Sequence, residues 1–218
     1  EQDNRRYAVA AGVPMLEPAD SQEAYDFTLK AFEMSERWGT IVMLRMTTRI
    51  CHSKTIVRRI TKPHEPPKPY FERDIKQRVM IPAYARPAHK KLRQRLDDIA
   101  NWNEGCELNI EHKGEKSLGI ITSGVSYTHA REAAPNASIL KLSVTYPLPY
   151  KKIENFAKSV DRCVVIEEGD PYLVESLRAK GIKVEEKPEM YRFGELGVNR
   201  VKRILAGDTS EEAAAPKG

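Results

Sequence analysis

The densest cluster of polar donors in the sequence is Thr47-Thr48-Arg49-Ile50-Cys51-His52-Ser53-Lys54. Hydroxyls, a guanidinium, an imidazole and an ammonium grouped in this way suit a carboxylate or a phosphate. The cluster follows the apolar run Ile41-Val42-Met43-Leu44, which reads as a buried strand, so its side chains would be presented at a sheet end. It could equally do no more than close that strand, and both readings stand at this point. Thr122-Ser123-Gly124-Val125-Ser126 joins a strand to a helix, where free N–H groups could cradle an anion. A strand–helix turn also needs a glycine and a cap for structural reasons alone, and that is the preferred reading. Glu167-Glu168 ends another apolar run. A carboxylate there must pair, meet donors or face water, and an interface role fits both residues.

Other chemistries are poorly represented. No GxGxxG, P-loop, GxSxG or HExxH pattern occurs. The histidines His52, His64, His89, His112 and His129 are scattered, and His129 is expected on the surface of a helix. Three distant cysteines, Cys51, Cys106 and Cys163, give neither a disulfide framework nor a CxxC-type zinc or iron–sulfur site, and fit a reducing cytoplasm. Apolar runs such as Cys163-Val164-Val165-Ile166 have four residues, against the roughly 18–20 that a membrane helix needs. No signal peptide opens the chain.

The elements that must position these residues can be read from periodicity. Asp20 followed by Glu23 is a capping pattern, and Ala24, Phe27, Ala31, Met34 and Trp38 form one apolar stripe up to Gly39. From residue 117 onward the pattern alternates. Strands are expected at Ser117–Thr122, Ser138–Val144, Arg162–Glu168 and Ile182–Val184, with helices at Ser126–Ala134, Tyr150–Val160 and Tyr172–Ala179. Strands joined by helical crossovers predict a parallel α/β sheet covered on both faces. Ligands of such sheets meet the carboxyl ends of the strands.

Charge separates these regions. Among 218 residues with a net charge of +5, the stretch from Arg45 to Arg95 carries 15 Lys and Arg against three acids, while the rest is net −7. Six of the 14 prolines lie in the same stretch. Thr61–Pro87 therefore reads as a basic, proline-rich connector, turning helical over Arg86–Trp102. Such charge suits phosphate contacts with nucleic acid, but aromatics for base stacking are few, mainly Tyr70, Phe71 and Tyr84. A non-catalytic α/β interaction module is the other alternative. The piece from Glu1 to Lys54 is too small to bury a core alone. It should lean on preceding chain, the second domain or another subunit, with Phe27, Phe32 and Trp38 exposed and an open strand edge at Ile41–Leu44.

Several ordered blocks resemble a family. Glu1-Gln2-Asp3-Asn4-Arg5-Arg6-Tyr7-Ala8, Pro14-Met15-Leu16-Glu17-Pro18-Ala19-Asp20-Ser21-Gln22-Glu23-Ala24, and Arg45-Met46-Thr47-Thr48-Arg49-Ile50-Cys51-His52-Ser53-Lys54 are similar to the α subunit of indolepyruvate:ferredoxin oxidoreductases. Val79–Arg86, Ile120–Val125 and Val164–Pro171 continue the likeness, which reaches about Leu205. The resemblance implies a 2-oxoacid:ferredoxin oxidoreductase fragment with α/β fold. Residues 1–60 would end a thiamine diphosphate pyrimidine-binding domain. Residues 61–116 would be the basic connector, 117–206 a transketolase C-terminal-like parallel-sheet domain, and 207–218 a linker or tail. It further implies CoA-dependent oxidative decarboxylation of arylpyruvates. The complete enzyme would use thiamine diphosphate, Mg²⁺ and [4Fe-4S] clusters, and its partners would be the rest of the α subunit, a β subunit, ferredoxin and coenzyme A. The fragment alone is expected to hold none of the cofactors, no metal and no catalytic residue. Asp3, Asn4, Arg5, Thr47, Thr48, Arg49, His52 and Ser53 are the side chains the resemblance puts near substrate and cofactor.

Overall fold

A computed structural model describes residues 3–59 and 68–211. Residues 1, 2, 60–67 and 212–218 lie outside it, and with them the opening Glu1-Gln2, the centre of the expected connector, His64 and most of the expected tail. The chain runs through helix α1 (Arg5–Ala11), strand β1 (Met15–Leu16), helix α2 (Ser21–Trp38), strand β2 (Met43–Leu44) and three helices, α3 (Thr48–His52), α4 (Ile75–Arg78) and α5 (Pro82–Glu104). Strands β3 (Ile110–His112) and β4 (Glu115–Ser123) follow, then α6 (Ser126–Ala133), β5 (Ala137–Leu142), β6 (Val144–Tyr146), α7 (Tyr150–Lys158), β7 (Cys163–Ile166), α8 (Tyr172–Arg178), a 3₁₀ turn at Glu189–Arg192 and α9 (Val198–Leu205).

The larger sheet has the order β3-β5-β4-β7. Ile120 faces Ile139 and Val164 in parallel register, and β3 adds an antiparallel edge strand. Successive side chains of a strand point to opposite faces, and each face here is apolar. Ile121, Leu140 and Val165 enter a core with Ile153 and Phe156 of α7 and Leu173 and Leu177 of α8. Their neighbours Ile120, Ile139 and Val164 enter another with Ala130 of α6 and Val201 and Ile204 of α9. A Cβ on Gly119 would come within 2.6 Å of Val160, so the glycine lets the end of α7 close on β4.

The expected strand at Ser138–Val144 is two strands in two sheets. The chain bends at Ser143, and β6 pairs antiparallel with β1 in a small sheet of order β2-β1-β6. Asn109 sustains the bend, its Oδ1 accepting from the N–H groups of Ser143 and Val144 at 2.8 and 3.1 Å. Asn103 holds Asn109 in turn, its Oδ1 accepting from the Asn109 Nδ2 at 2.7 Å. The N-terminal part has no core to itself. Leu16, Phe27 and Met34 pack with Cys106 and Val144, while Ala8 and Met15 enter the core of the larger sheet.

Several expectations are corrected. Phe27 is buried, because α2 lies against β6 and α5, and Trp38 is half-buried, edge-on to Trp102 at 6.5 Å. Phe32 remains exposed. Ile41–Leu44 is not a buried run, since Ile41 is exposed and β2 is an edge strand paired only with β1 among the described residues. Ile182–Val184 is not a strand; the chain meets β7 just beyond it, through a parallel bridge between Val164 and Glu185. The connector gives way to helix earlier than Arg86, since α5 opens with a proline at its first turn, where the missing N–H has no partner to lose. His129 is buried, on the part of α6 that lies toward Arg49 and Glu195.

Candidate functional site

Asp20 caps α2 by accepting from the Glu23 N–H at 2.8 Å. Glu23 reaches back to the N–H of Ala19 at 2.8 Å, and its other oxygen pairs with Lys141 of the central strand β5. That contact fastens the N-terminal helix over the larger sheet. Arg45 leaves β2 toward Asn4, whose Oδ1 accepts from its Nε at 2.8 Å, and toward the buried carboxylate of Glu17 at 3.3 Å. Glu17 takes a further bond from Ser123 at 2.7 Å, so the end of β4 is tied to β1.

These links bring four chain segments around one open cleft of about 980 Å³. Asp3 and Asn4 stand on one side with Arg45 to Arg49, Glu168 to Asp170 come from the end of β7, and Glu189 and Arg192 to Glu195 close the remainder. Of the residues singled out in the sequence, the structure gathers Asp3, Asn4, Thr47, Thr48, Arg49 and Glu168 here. Arg5 and Glu167 lie buried just behind the wall. His52 and Ser53 are not among the lining residues. They end α3, where the Ser53 hydroxyl donates to the Ile50 carbonyl at 2.8 Å and meets Ser21 at 3.0 Å. The turn at residues 122–126 is occupied by structure, with Gly124 at φ 53° close to Glu17 and Pro18. Nothing in the sequence reading pointed to residues 189–195, a wall without apolar periodicity.

The cleft offers both signs of charge. Arg49 makes a two-pronged pair with Glu195, Nε to Oε1 at 3.1 Å and Nη2 to Oε2 at 2.7 Å, with both side chains substantially exposed. An exposed pair of this kind is worth little and exchanges readily for another carboxylate. The Thr47 Oγ1 is buried without a partner among the described residues. Burial pushes the Glu168 carboxyl above the usual carboxylate range, an effect that Arg45 opposes. For Asp3, burial is outweighed by the bonds and charge of Arg5, and its pKa is lowered. This donor set can grip a carboxylate through Arg49 and the two threonines.

No protein-family model matches the chain. Among curated proteins it is 34% identical, over 97% of its length, to indolepyruvate oxidoreductase subunit IorA of Methanothermobacter thermautotrophicus. The chain resembles IorA. The IorA subunits of Archaeoglobus fulgidus and Pyrococcus abyssi are 36% and 35% identical over 84% and 85% of the chain. It spans about a third of these relatives, 37%, 30% and 31% of their respective lengths. A solved 2-oxoglutarate:ferredoxin oxidoreductase from Magnetococcus marinus shares the fold. The two superpose with a TM-score of 0.67 at 14% identity, over 95% of this chain and 45% of that one. The mixed α/β fold with a parallel sheet is therefore established, together with the likeness to IorA.

Proposed function

We propose that this chain is a segment of the α subunit of a thiamine diphosphate-dependent indolepyruvate:ferredoxin oxidoreductase, and that its cleft receives the 2-oxoacid. The observation that carries the reading is the match to IorA along 97% of the chain. In the complete enzyme an arylpyruvate would be decarboxylated oxidatively, its acyl group passing to coenzyme A and its electrons to ferredoxin, with a β subunit as partner. Residues 1–60 would close the pyrimidine-binding domain and 117–206 would form the transketolase C-terminal-like domain. The cytoplasm is the compartment that this reading implies; no helix among the described residues is long and apolar enough to cross a membrane.

The donor set bears on the cofactors. A diphosphate held through Mg²⁺ needs grouped oxygen ligands, and among the described residues no group of three or more His, Cys, Asp or Glu could hold a metal ion. A [4Fe-4S] cluster needs several thiolates. Here Cys51 is exposed while Cys106 and Cys163 are buried, and burial pushes the Cys163 thiol up to about 12. The described residues offer a full ligand set for neither group, and the proposal assigns both to other parts of the complete enzyme. What this segment can supply is recognition. Arg49 would exchange Glu195 for the substrate carboxylate, and Thr47 and Thr48 would add hydroxyl donors.

The test is steady-state ferredoxin reduction by the complete α and β subunits. Indolepyruvate and coenzyme A should both be required. Arg49→Ala should raise KM for indolepyruvate about tenfold or more, as expected when a charge-assisted bond to substrate is removed. An unchanged KM would place the carboxylate elsewhere.

A further inference from the structure

Arg5 is almost fully buried, at 1% exposure, although it is a cation. It stands behind the cleft and not in it. Its Nε and Nη2 fork onto the Asp3 carboxylate at 2.9 and 2.5 Å, and its Nη1 pairs with Glu167 at 2.6 Å. Nη2 also donates to the main-chain carbonyls of Glu168 and Asp170 at 3.0 and 2.9 Å. The guanidinium lies 5.1 Å from the ring centroid of Tyr172. Burial works against this cation, but Glu167, Asp3 and Glu17 outweigh it, and its pKa lies above the ordinary arginine value.

These contacts share a geometry. Asp3 and the loop Glu168 to Asp170 line adjoining parts of the cleft. Arg5 spans the two from behind. Lys187, buried on the other side of the same loop, donates to the carbonyls of Glu167 and, at 2.7 Å, of Gly169. The carbonyls of all four residues from Glu167 to Asp170 are thus held by two buried cations. The loop is fixed through its main chain, which leaves the side chains of Glu168 and Asp170 free to face the cleft. Glu167 is anchored as well, accepting from the N–H groups of Leu173 and Val174 at 2.9 and 3.1 Å. A lysine could not replace Arg5, because only a planar fork sends rigid donors in several directions at once.

We infer that Arg5, assisted by Lys187, is a positioning residue that fixes the loop Glu168 to Asp170 against Asp3 in the cleft lining and thereby sets the affinity for the 2-oxoacid. The inference rests on the reading of the cleft as the substrate pocket. The experiment is steady-state kinetics of the complete enzyme carrying Arg5→Lys, Lys187→Met or Arg49→Ala. A displaced wall weakens binding more than chemistry, so Arg5→Lys should raise KM for indolepyruvate about tenfold while kcat falls less than about threefold. Lys187→Met should raise KM about threefold. The double variant should show less than the product of the two, since both residues hold one loop. If Arg5→Lys does not fold, Lys187→Met decides alone, because it keeps an unbranched stem of similar length and Lys187 reaches the cleft lining only through the main-chain carbonyl of Gly169. Lower melting temperatures with unchanged KM in the folded variants, while Arg49→Ala raises KM, would mean that both cations are merely structural, and would overturn the inference alone. An unchanged KM in Arg49→Ala as well would overturn the substrate-pocket reading and the inference with it.

Discussion

Removing the carboxylate of Glu23 should cost far more stability than removing the charge it faces. Lys141 is 1% exposed on the central strand β5, and its ammonium lies between the rings of Tyr127 and Phe27 at 4.8 and 5.9 Å. Glu23→Ala strands that ammonium and also frees the Ala19 N–H that Glu23 accepts from. An abandoned buried charge costs about 3–5 kcal/mol. The face of Tyr127 offsets about 1–2 kcal/mol of that, while the orphaned amide adds about 1 kcal/mol, so the net expectation is about 3 kcal/mol. For a chain of this size that is a fall of roughly 6–12 °C in Tm. Lys141→Met is different. The thioether fills the apolar slot, and the Glu23 side chain, 21% exposed, can turn to water, so the cost should stay near 1 kcal/mol. The double variant, which keeps the orphaned amide, should then recover about 1 kcal/mol relative to Glu23→Ala. Urea unfolding of the four proteins measures this, with an unchanged m-value as the condition for comparison. A double variant as unstable as Glu23→Ala would refute the reasoning, since Glu23 would then be acting only as a helix cap.

Two further outcomes follow from single residues. Val165→Asp puts a carboxylate among Ile153, Leu173 and Leu177, where no cation reaches it, and should lower stability by about 4 kcal/mol or more, read as the shift in urea midpoint; a variant melting like the parent would show β7 to be peripheral. Burial lowers the Lys187 pKa from 10.5 to about 8, so between those values the unfolded chain holds more protons and stability should climb with pH. Cys163, raised from 9.0 to about 12, acts in the opposite sense above pH 9. The measurement is therefore the difference between the parent and Lys187→Met, which should have a positive slope of up to about 1.4 kcal/mol per pH unit; parallel pH curves would contradict the shift.

What could be read in the sequence, and what could not, divides along the range of the forces involved. Asp20, Glu23 and Gly39 bound α2 through bonds made within a turn or two, and the observed helix begins and ends where those residues put it. The paired apolar faces of β4, β5 and β7 follow in the same way from their near-continuous apolar runs. The bend at Ser143 is of another kind. Ser138 to Val144 is one run by pattern, and it is divided between two sheets by an amide side chain from Asn109, 34 residues earlier. Periodicity cannot show a hydrogen bond of that length. α9 is a plain omission, since Val198, Val201, Ile204 and Leu205 do recur at helical spacing.

The candidate site shows the same division one level higher. Residues at strand ends were visible as a class, because polar residues that follow an apolar run must go somewhere, and Thr47 to Arg49 and Glu168 do meet in the cleft. Their meeting depends on contacts that cross most of the chain. Arg5 reaches Glu167 over 162 positions, Lys141 reaches Glu23 over 118, and Ser123 reaches Glu17 over 106. Each joins the small sheet or its flanking helices to the larger one, and each has at least one fully buried partner. A buried ion pair is poor value as a source of stability, since desolvation consumes most of its Coulombic gain. Its usefulness lies in direction, because a buried charge has few places where it can be satisfied. Three such contacts across one junction leave the two sheets little freedom to slide, and the cleft lies along that junction. The polar residues buried between the sheets and the residues exposed in the cleft are therefore parts of one arrangement. Substitutions in the first group should accordingly be read by ligand affinity as well as by melting temperature.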